Sequence, residues 1–284
     1  MSLSIAQAVL EATPVLREAG VPEAAREAGS LLAHTLACDR GFMIAHSDEV
    51  LSEQFIKAFR GYVRRRAAGE PLQYITGHQA FFNLDFEVTR DVLIPRPETE
   101  LLVEVALDLL SGADESFVCD VGTGSGCIAI TLLHERPSAR ALGLDISLPA
   151  LQVAQKNASR HGVADRFRLV ASDRFSSLDT GRSFSMIVSN PPYVSTAAFL
   201  ELQREVREHE PRAALLAGTD GLSVIRRLLA EAHHYLVEDG YFLFEIGFDQ
   251  HQSVKRLIET RLWELLDIHK DLQGIPRTVA LRKQ

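Results

Sequence analysis

Phe117-Val-Cys-Asp-Val-Gly-Thr-Gly-Ser-Gly126 is the stretch that decides the fold. Its first five residues form a short, mostly apolar run of the kind that fits a strand buried on both faces. The run gives way at once to a glycine loop. Glycine lets a backbone turn left-handed and approach a ligand closely, and the residues that follow, through Leu133, read as a helix whose first N–H groups are free to bind. The spacing Gly122-x-Gly124-x-Gly126 differs from the Gly-x-Gly-x-x-Gly of dinucleotide-binding loops. By itself such a loop is a weak signal, which a tight turn explains equally well.

Downstream of the loop the pattern repeats. Ala139-Arg-Ala-Leu-Gly-Leu-Asp145 is a second strand, ending in an acid roughly where a ribose hydroxyl pair needs an acceptor. Ser147 caps the helix that follows, to about Arg160. Phe167-Arg-Leu-Val-Ala-Ser-Asp173 is a third strand and again ends in an acid. The fourth lies in Ser185-Met-Ile-Val-Ser-Asn-Pro-Pro-Tyr193. Proline has no N–H for a sheet ladder and fixes its own φ, so this strand stops at Asn190 in a stiff, extended turn. The Asn190 amide and the Pro191 carbonyl place two acceptors side by side, and Pro192 has no N–H to occupy the second. That pair suits an NH2 group held at one angle, and Tyr193 adds a flat face for a planar group. A helix from about Gly221 to Leu236, a strand Tyr241–Ile246 and a helix Gln252–Thr260 follow, before two closing strands, Trp263–His269 and Thr278–Arg282. The alternation predicts an α/β fold with a doubly wound, mostly parallel seven-stranded sheet, with ligands at the carboxyl ends of the strands. Gly122–Gly126, Asp145, Asp173 and Asn190 all fall at those ends. One such position is an ordinary turn; four at one rim define a site.

Upstream, residues 1–77 read as a small helical bundle with no catalytic constellation, which leaves binding as its role. Helical spacing starts at Ile5, Thr13-Pro14 is read as a restart, and Pro22 opens a second helix toward Leu36. A third runs from about Ser52 to Ala68, and the basic run Arg64–Arg66 at its end reads as a solvated face that complements the helix dipole. Residues 78–95 form a β-hairpin linker, alternating apolar and polar around Asn83. Residues 96–284 form the sheet domain, entered through Ile94-Pro-Arg-Pro-Glu-Thr-Glu100, whose two prolines hold Arg96 in an extended segment; whether it caps or pairs with a carboxylate stays open.

Composition narrows the partners. With 46% hydrophobic and 24% charged residues over 284, the chain is globular. No apolar run approaches the ~20 residues of a membrane helix, and the N-terminus lacks a basic signal region. Three scattered cysteines (Cys38, Cys119, Cys127) fit the reducing cytoplasm. The net charge is −8, and residues 1–80 hold eight Lys or Arg against nine Asp or Glu, so the acidic excess lies mainly in the sheet domain. A duplex nucleic-acid grip through phosphates normally needs the opposite sign. None of the ten histidines belongs to a Ser/His/Asp set or a His-Glu-x-x-His metal motif.

Asp120-Val-Gly-Thr-Gly-Ser-Gly126, followed by an acid ending the second strand, resembles the class I S-adenosylmethionine-dependent methyltransferases, and Asn190-Pro-Pro-Tyr193 narrows this to those that methylate nitrogen on planar groups. With Ile94–Glu100, Glu70-Pro-Leu-Gln-Tyr-Ile-Thr-Gly77, the helical N-terminal third and Asp271-x-x-Gly274-x-x-Arg277, nearly the whole chain resembles the release factor glutamine methyltransferases. The resemblance implies a Rossmann-like methyltransferase sheet. It implies that Gly122, Thr123, Gly124, Ser125, Gly126, Asp145, Asp173, Arg174 and Asn190 hold S-adenosylmethionine, released as S-adenosylhomocysteine. It implies that Asn190, Pro191, Pro192 and Tyr193 receive the glutamine of a release factor's Gly-Gly-Gln motif, with Asn190, Pro191 and Tyr193 catalytic, no metal, and the N-terminal bundle docking the factor. Where family members often carry an aromatic residue beside the adenine, this chain has Arg174, whose guanidinium plane can also stack on a base. The rivals are an adenine-N6 DNA or RNA methyltransferase, which needs a basic groove and a way to extrude the base, a non-catalytic cofactor-binding regulator, and a Rossmann dehydrogenase.

Overall fold

The computed structural model describes residues 3–111, 115–179, 181 and 183–284. The chain divides into two compact units, one comprising the chain up to His78 together with Gln203–His209, the other Gln79–Leu202 and Glu210–Gln284.

The first unit begins with α1 (Ile5–Glu18), α2 (Ala24–Leu36), α3 (Arg40–Ala45), α4 (Glu53–Ala67) and α5 (Leu72–Thr76). Ser4 opens α1 with a reciprocal cap, its hydroxyl accepting from the Gln7 N–H while the Gln7 side chain accepts from the Ser4 N–H. No restart occurs at Thr13-Pro14: α1 runs through the proline. The carbonyl deprived of its partner belongs to Leu10, which is exposed, so it lies on the solvent side and the break costs less than it would inside. Ile5, Leu16, Leu31, Leu32 and Phe59 form this unit's core. The basic run is not a solvated face throughout. Arg66 is buried, bonded to Glu27 and, at 2.8 Å, to Glu205 of the short helix that follows Gln203, while Arg65 is paired with Glu70 at 2.7 Å.

In the second unit β1 (His78–Phe81) and β2 (Leu84–Glu87) form a hairpin whose turn residues, Phe82 and Asn83, both have positive φ, as a two-residue turn between twisted strands requires. Phe81 and Phe86 are buried in the main core, so the hairpin is part of that core rather than a tether. The unit continues with α6 (Glu100–Leu109), β3 (Phe117–Val121), α7 (Cys127–Glu135), β4 (Arg140–Asp145), α8 (Leu148–Arg160), β5 (Phe167–Ala171), β6 (Phe184–Ser189) and α9 (Thr196–Phe199). After α10 (Arg204–His209), which groups with the first unit, come α11 (Ser223–Glu231), β7 (Leu236–Glu245), α12 (His251–Leu257), β8 (Trp263–Lys270) and β9 (Pro276–Lys283).

The seven-stranded sheet has the order β5-β4-β3-β6-β7-β9-β8, parallel except for β9, which runs antiparallel to β7 and β8. Alternation along each strand feeds two cores. Val118, Met186, Val188 and Leu243 pack with α6, α7 and α8, whereas Cys119, Ile187, Phe242 and Phe244 pack with α11 and α12. One boundary differs from the sequence reading. The helix expected to reach Leu236 stops at Glu231, a 3-10 turn covers Ala232–Tyr235, and Leu236 already pairs with Phe184. The register then slips, with Asp239 at positive φ, before Tyr241 pairs with Met186. Tyr235 and Leu236 extend a helical apolar period as well as they start a strand, so periodicity alone does not separate the two. At the far end Asp271 ties the β8–β9 turn, accepting from the Gln273 and Ile275 N–H groups and from Arg277.

Candidate active site

From β3 the chain works outward through β4 and β5, then crosses back to lay β6 on β3's other edge. The reversal opens a crevice at the carboxyl ends of β3 and β6, the usual ligand position in such sheets. A cleft of about 370 Å³ lies there, lined by Gly122–Ser125, Asp145, Ile146, Asp173, Arg174 and Asn190–Pro192 among others. The structure thus brings together every expected cofactor residue except Gly126.

Gly126 supports the cleft from below. Its φ is 82°, and a Cβ there would stand 2.7 Å from Ile130 Cδ1, so a side chain would be both strained and crowded. The loop is pinned to its neighbour strand, with the Gly122 and Thr123 N–H groups both donating to the Leu144 carbonyl. Gly124 N–H donates to Asp145 Oδ2 and Ser147 N–H to Oδ1, each at 2.9 Å. Each Asp145 oxygen keeps a lone pair for a further donor. Beneath the loop, buried Asp120 accepts from the Thr123 hydroxyl through Oδ2, while its Oδ1 is buried without a partner. Burial, against the Thr123 bond and aided by the Asp145 charge, pushes its carboxyl up to about 7. Asn157 on α8 braces the loop from behind. Its amide donates to the Ser125 and Glu87 carbonyls and accepts from the Glu87 N–H.

Asp173 lies just past the end of β5, and Arg174 bonds both to it and to Glu231. These bonds engage the guanidinium edge, and the residue lines the cleft. Ile146, beside Asp145, is an apolar side chain 69% exposed within the cleft wall.

On the β6 side Asn190 Nδ2 donates to Thr99 Oγ1 at 2.9 Å, and the Thr99 hydroxyl donates to Glu245 Oε2 at 2.6 Å. Tyr193 is not one of the cleft-lining residues; its hydroxyl donates to Glu245 Oε1 at 3.2 Å. Burial raises the Glu245 carboxyl, opposed by the Thr99 and Tyr193 hydroxyls and the Arg277 charge. Burial likewise raises the Tyr193 phenol. Arg96, on the cleft wall, pairs with Glu210 at 2.5 Å, which settles the choice its sequence left open. Sequence reading did not single out Thr99, Asn157, Glu210 or Glu245 as functional. Glu245 carried a signal, being the one charged residue in the apolar run Tyr241–Ile246. Among the described residues no group of three or more His, Cys, Asp or Glu is placed to hold a metal ion, and no helix is long and apolar enough to cross a membrane.

Sheet order, glycine loop and cleft define a Rossmann-like methyltransferase. The family description "Methyltransferase small domain" matches residues 97–209 and "PrmC N-terminal domain" residues 7–77. The chain belongs to the release factor glutamine methyltransferase family. It is 41% identical to the release factor glutamine methyltransferase of Koribacter versatilis over 281 residues, covering 99% of each chain. With that of Nitratidesulfovibrio vulgaris the identity is 43% over 255 residues, 89% of this chain and 86% of the relative. Among solved structures, a methyltransferase of Pyrococcus furiosus shares the fold at a TM-score of 0.51 and 16% identity, over 72% of this chain and 91% of that one.

Proposed function

We propose that this chain transfers the methyl group of S-adenosylmethionine to the side-chain amide nitrogen of the glutamine in the Gly-Gly-Gln motif of peptide chain release factors, in the cytoplasm. The observation that carries this reading is Asn190-Pro191 at the wall of the same cleft that the glycine loop lines, in a chain at least 40% identical to named release factor glutamine methyltransferases over most of its length.

The cleft fits the cofactor. Asp145 has spare lone pairs for ribose hydroxyls, Ile146 and the Arg174 face offer flanks for a flat base, and the Gly122–Ser125 backbone allows close approach of the remaining chain. When bound, S-adenosylmethionine supplies a methyl on a positive sulfur: the amide nitrogen's electron pair forms the new N–C bond, the S–C pair returns to sulfur, and the methylated nitrogen sheds one proton to solvent.

An amide nitrogen is a poor nucleophile because its lone pair is delocalised into the carbonyl, so alignment is what the protein must supply. Asn190 Oδ1 and the Pro191 carbonyl accept the two amide hydrogens and turn the nitrogen toward the methyl; such positioning contributes up to ~7–11 kcal/mol in favourable cases. Pro192 keeps the turn stiff. Tyr193 flanks the site by closing the turn, its hydroxyl held by Glu245. The unit that holds α1 to α5 docks the factor. Incubation with labelled S-adenosylmethionine and, in separate tubes, a release factor or plasmid DNA tests the reading. Label should enter the release factor at its Gly-Gly-Gln glutamine; label in DNA alone would overturn it in favour of an adenine methyltransferase.

A further inference from the structure

The Thr99 hydroxyl stands between two partners and has one proton to give. Asn190 Nδ2 is 2.9 Å away on one side and Glu245 Oε2 2.6 Å on the other. Thr99 and Glu245 are both buried, at 2% and 1% exposure, so water does not rescue a mismatched pair. Both Glu245 oxygens accept here, Oε2 from the Thr99 hydroxyl and Oε1 from the Tyr193 hydroxyl. With the Thr99 proton pointing at Glu245, the Thr99 oxygen presents a lone pair to Asn190, and Asn190 must answer with its NH2. Its Oδ1 is left turned away from Thr99, as the acceptor. Were the Thr99 proton reversed, Asn190 would turn over and meet the substrate NH2 with donors of its own.

We propose that Glu245, acting through Thr99, is a positioning residue that fixes which end of the Asn190 amide faces the substrate nitrogen. The proposal rests on the reading of Asn190 as acceptor for the glutamine NH2. Tyr193 completes the device, because its hydroxyl donates to Oε1 and leaves Oε2 to Thr99. The polarity runs one way through three side chains, from Asn190 to Thr99 to Glu245, and Tyr193 donates into Glu245 from the opposite side.

Glu245→Gln is the revealing change, since it alters polarity and hardly alters shape. One arrangement of the glutamine keeps all three contacts. Oε1 accepts from Tyr193, Nε2 donates to Thr99, and the Thr99 proton turns to Asn190, which flips. Asn190→Asp makes the complementary fault: in an otherwise native site an acceptor faces the Thr99 lone pair. Combined, the two changes agree. The Thr99 proton goes to one oxygen of the introduced carboxylate, and the other oxygen is free to accept.

The test is single-turnover methyl transfer to a release factor, run with a cofactor titration on each variant of the full chain. Glu245→Gln should lower the transfer rate about ten- to a hundredfold, with the cofactor Kd within about twofold of wild type. Asn190→Asp should be at least as slow, and the double variant should recover about tenfold or more over Asn190→Asp. A purely structural Glu245 predicts no such recovery. A double variant no faster than the slower single one overturns the proposal. Asn190→Ala tells the two readings apart: if it is crippled, Asn190 keeps its role whatever Glu245 does, and if it turns over like wild type, the reading of Asn190 itself falls. Should Glu245→Gln fail to fold, Thr99→Ser and Thr99→Val decide. Retained transfer in the serine variant and loss in the valine variant supports the relay, and equal rates overturn it.

Discussion

Asp145 is held from two directions before any ligand arrives, by Gly124 N–H on one oxygen and Ser147 N–H on the other. Its removal thus deletes an acceptor and unpins the loop. Asp145→Ala should weaken S-adenosylmethionine binding by roughly 1–3 kcal/mol, the usual loss for hydrogen bonds to a charged acceptor, and calorimetry finding unchanged affinity would remove the assignment. Asp120 makes a different prediction. In the native chain it holds its proton up to about 7, while in the unfolded chain it releases it near the ordinary carboxylate value. Between those values the folded state binds the extra proton, so this group's stabilisation, complete at low pH, is lost as pH rises toward about 7. Urea titrations from about pH 5 to 8 should show wild type losing stability relative to Asp120→Asn by on the order of 2–3 kcal/mol; parallel pH profiles would contradict it. Asp145 and Asn190 were legible in the sequence because each ends an apolar run. Thr99 and Glu245 were not, because their bond joins positions 146 residues apart and no local pattern encodes a tertiary partner.

Helix α8 does more than cover the sheet. Through Asn157, fully buried, it bonds both to β2 and to the glycine loop, and so makes the hairpin a support of the loop that lines the cleft. Asn157→Ala would strand one N–H and two carbonyls. We expect about 2–4 kcal/mol of destabilisation by chemical denaturation, with weaker cofactor binding at temperatures where the chain remains folded; a loss below about 0.5 kcal/mol would show that the brace is dispensable. At this scale periodicity served long elements and failed short ones. The parallel strands and α8 were readable from apolar runs and a capping serine, whereas α3 and α5 span less than two turns and leave too few positions for a period. Pro14 suggests a break because its missing N–H is visible in sequence, while the exposure of Leu10, which makes that absence tolerable, is not.

Each of the two units has its own core, and the glycine loop, Asp145, Asp173 and Asn190 all belong to the second. A chain beginning at Gln79 should therefore bind S-adenosylmethionine with an affinity close to that of the full protein, yet methylate a release factor with kcat/KM reduced at least about tenfold, the rate then resting on glycine-loop and Asn190 chemistry without docking. Equal kcat/KM for both would refute a docking role for the first unit. The same partition explains the limit of the sequence reading at this scale. Gln203–His209 groups with helices more than a hundred residues upstream through pairs such as Arg66–Glu205, and no composition shift announces such a return.

β9 comes after β8 in the chain but lies inside it in the sheet, against β7. A β8–β9 hairpin closes a short loop and forms quickly, whereas seating it on β7 is a non-local step that comes later. Glu245 pairs with Thr278 across that seam, and both are buried only once it has closed. On the proposed relay, a chain with that seam still open would leave Glu245 to water and Asn190 without a fixed orientation, while β3, β4 and β5 carry the glycine loop, Asp145 and Asp173 without it. We therefore expect a refolding chain to capture its methyl donor before it is able to deliver from it. Stopped-flow refolding should show cofactor binding first, then transfer activity rising together with the fluorescence change of Trp263, the chain's one tryptophan, as β8 is drawn into the core. Maturation of this enzyme would then be ordered in time, with capture preceding delivery.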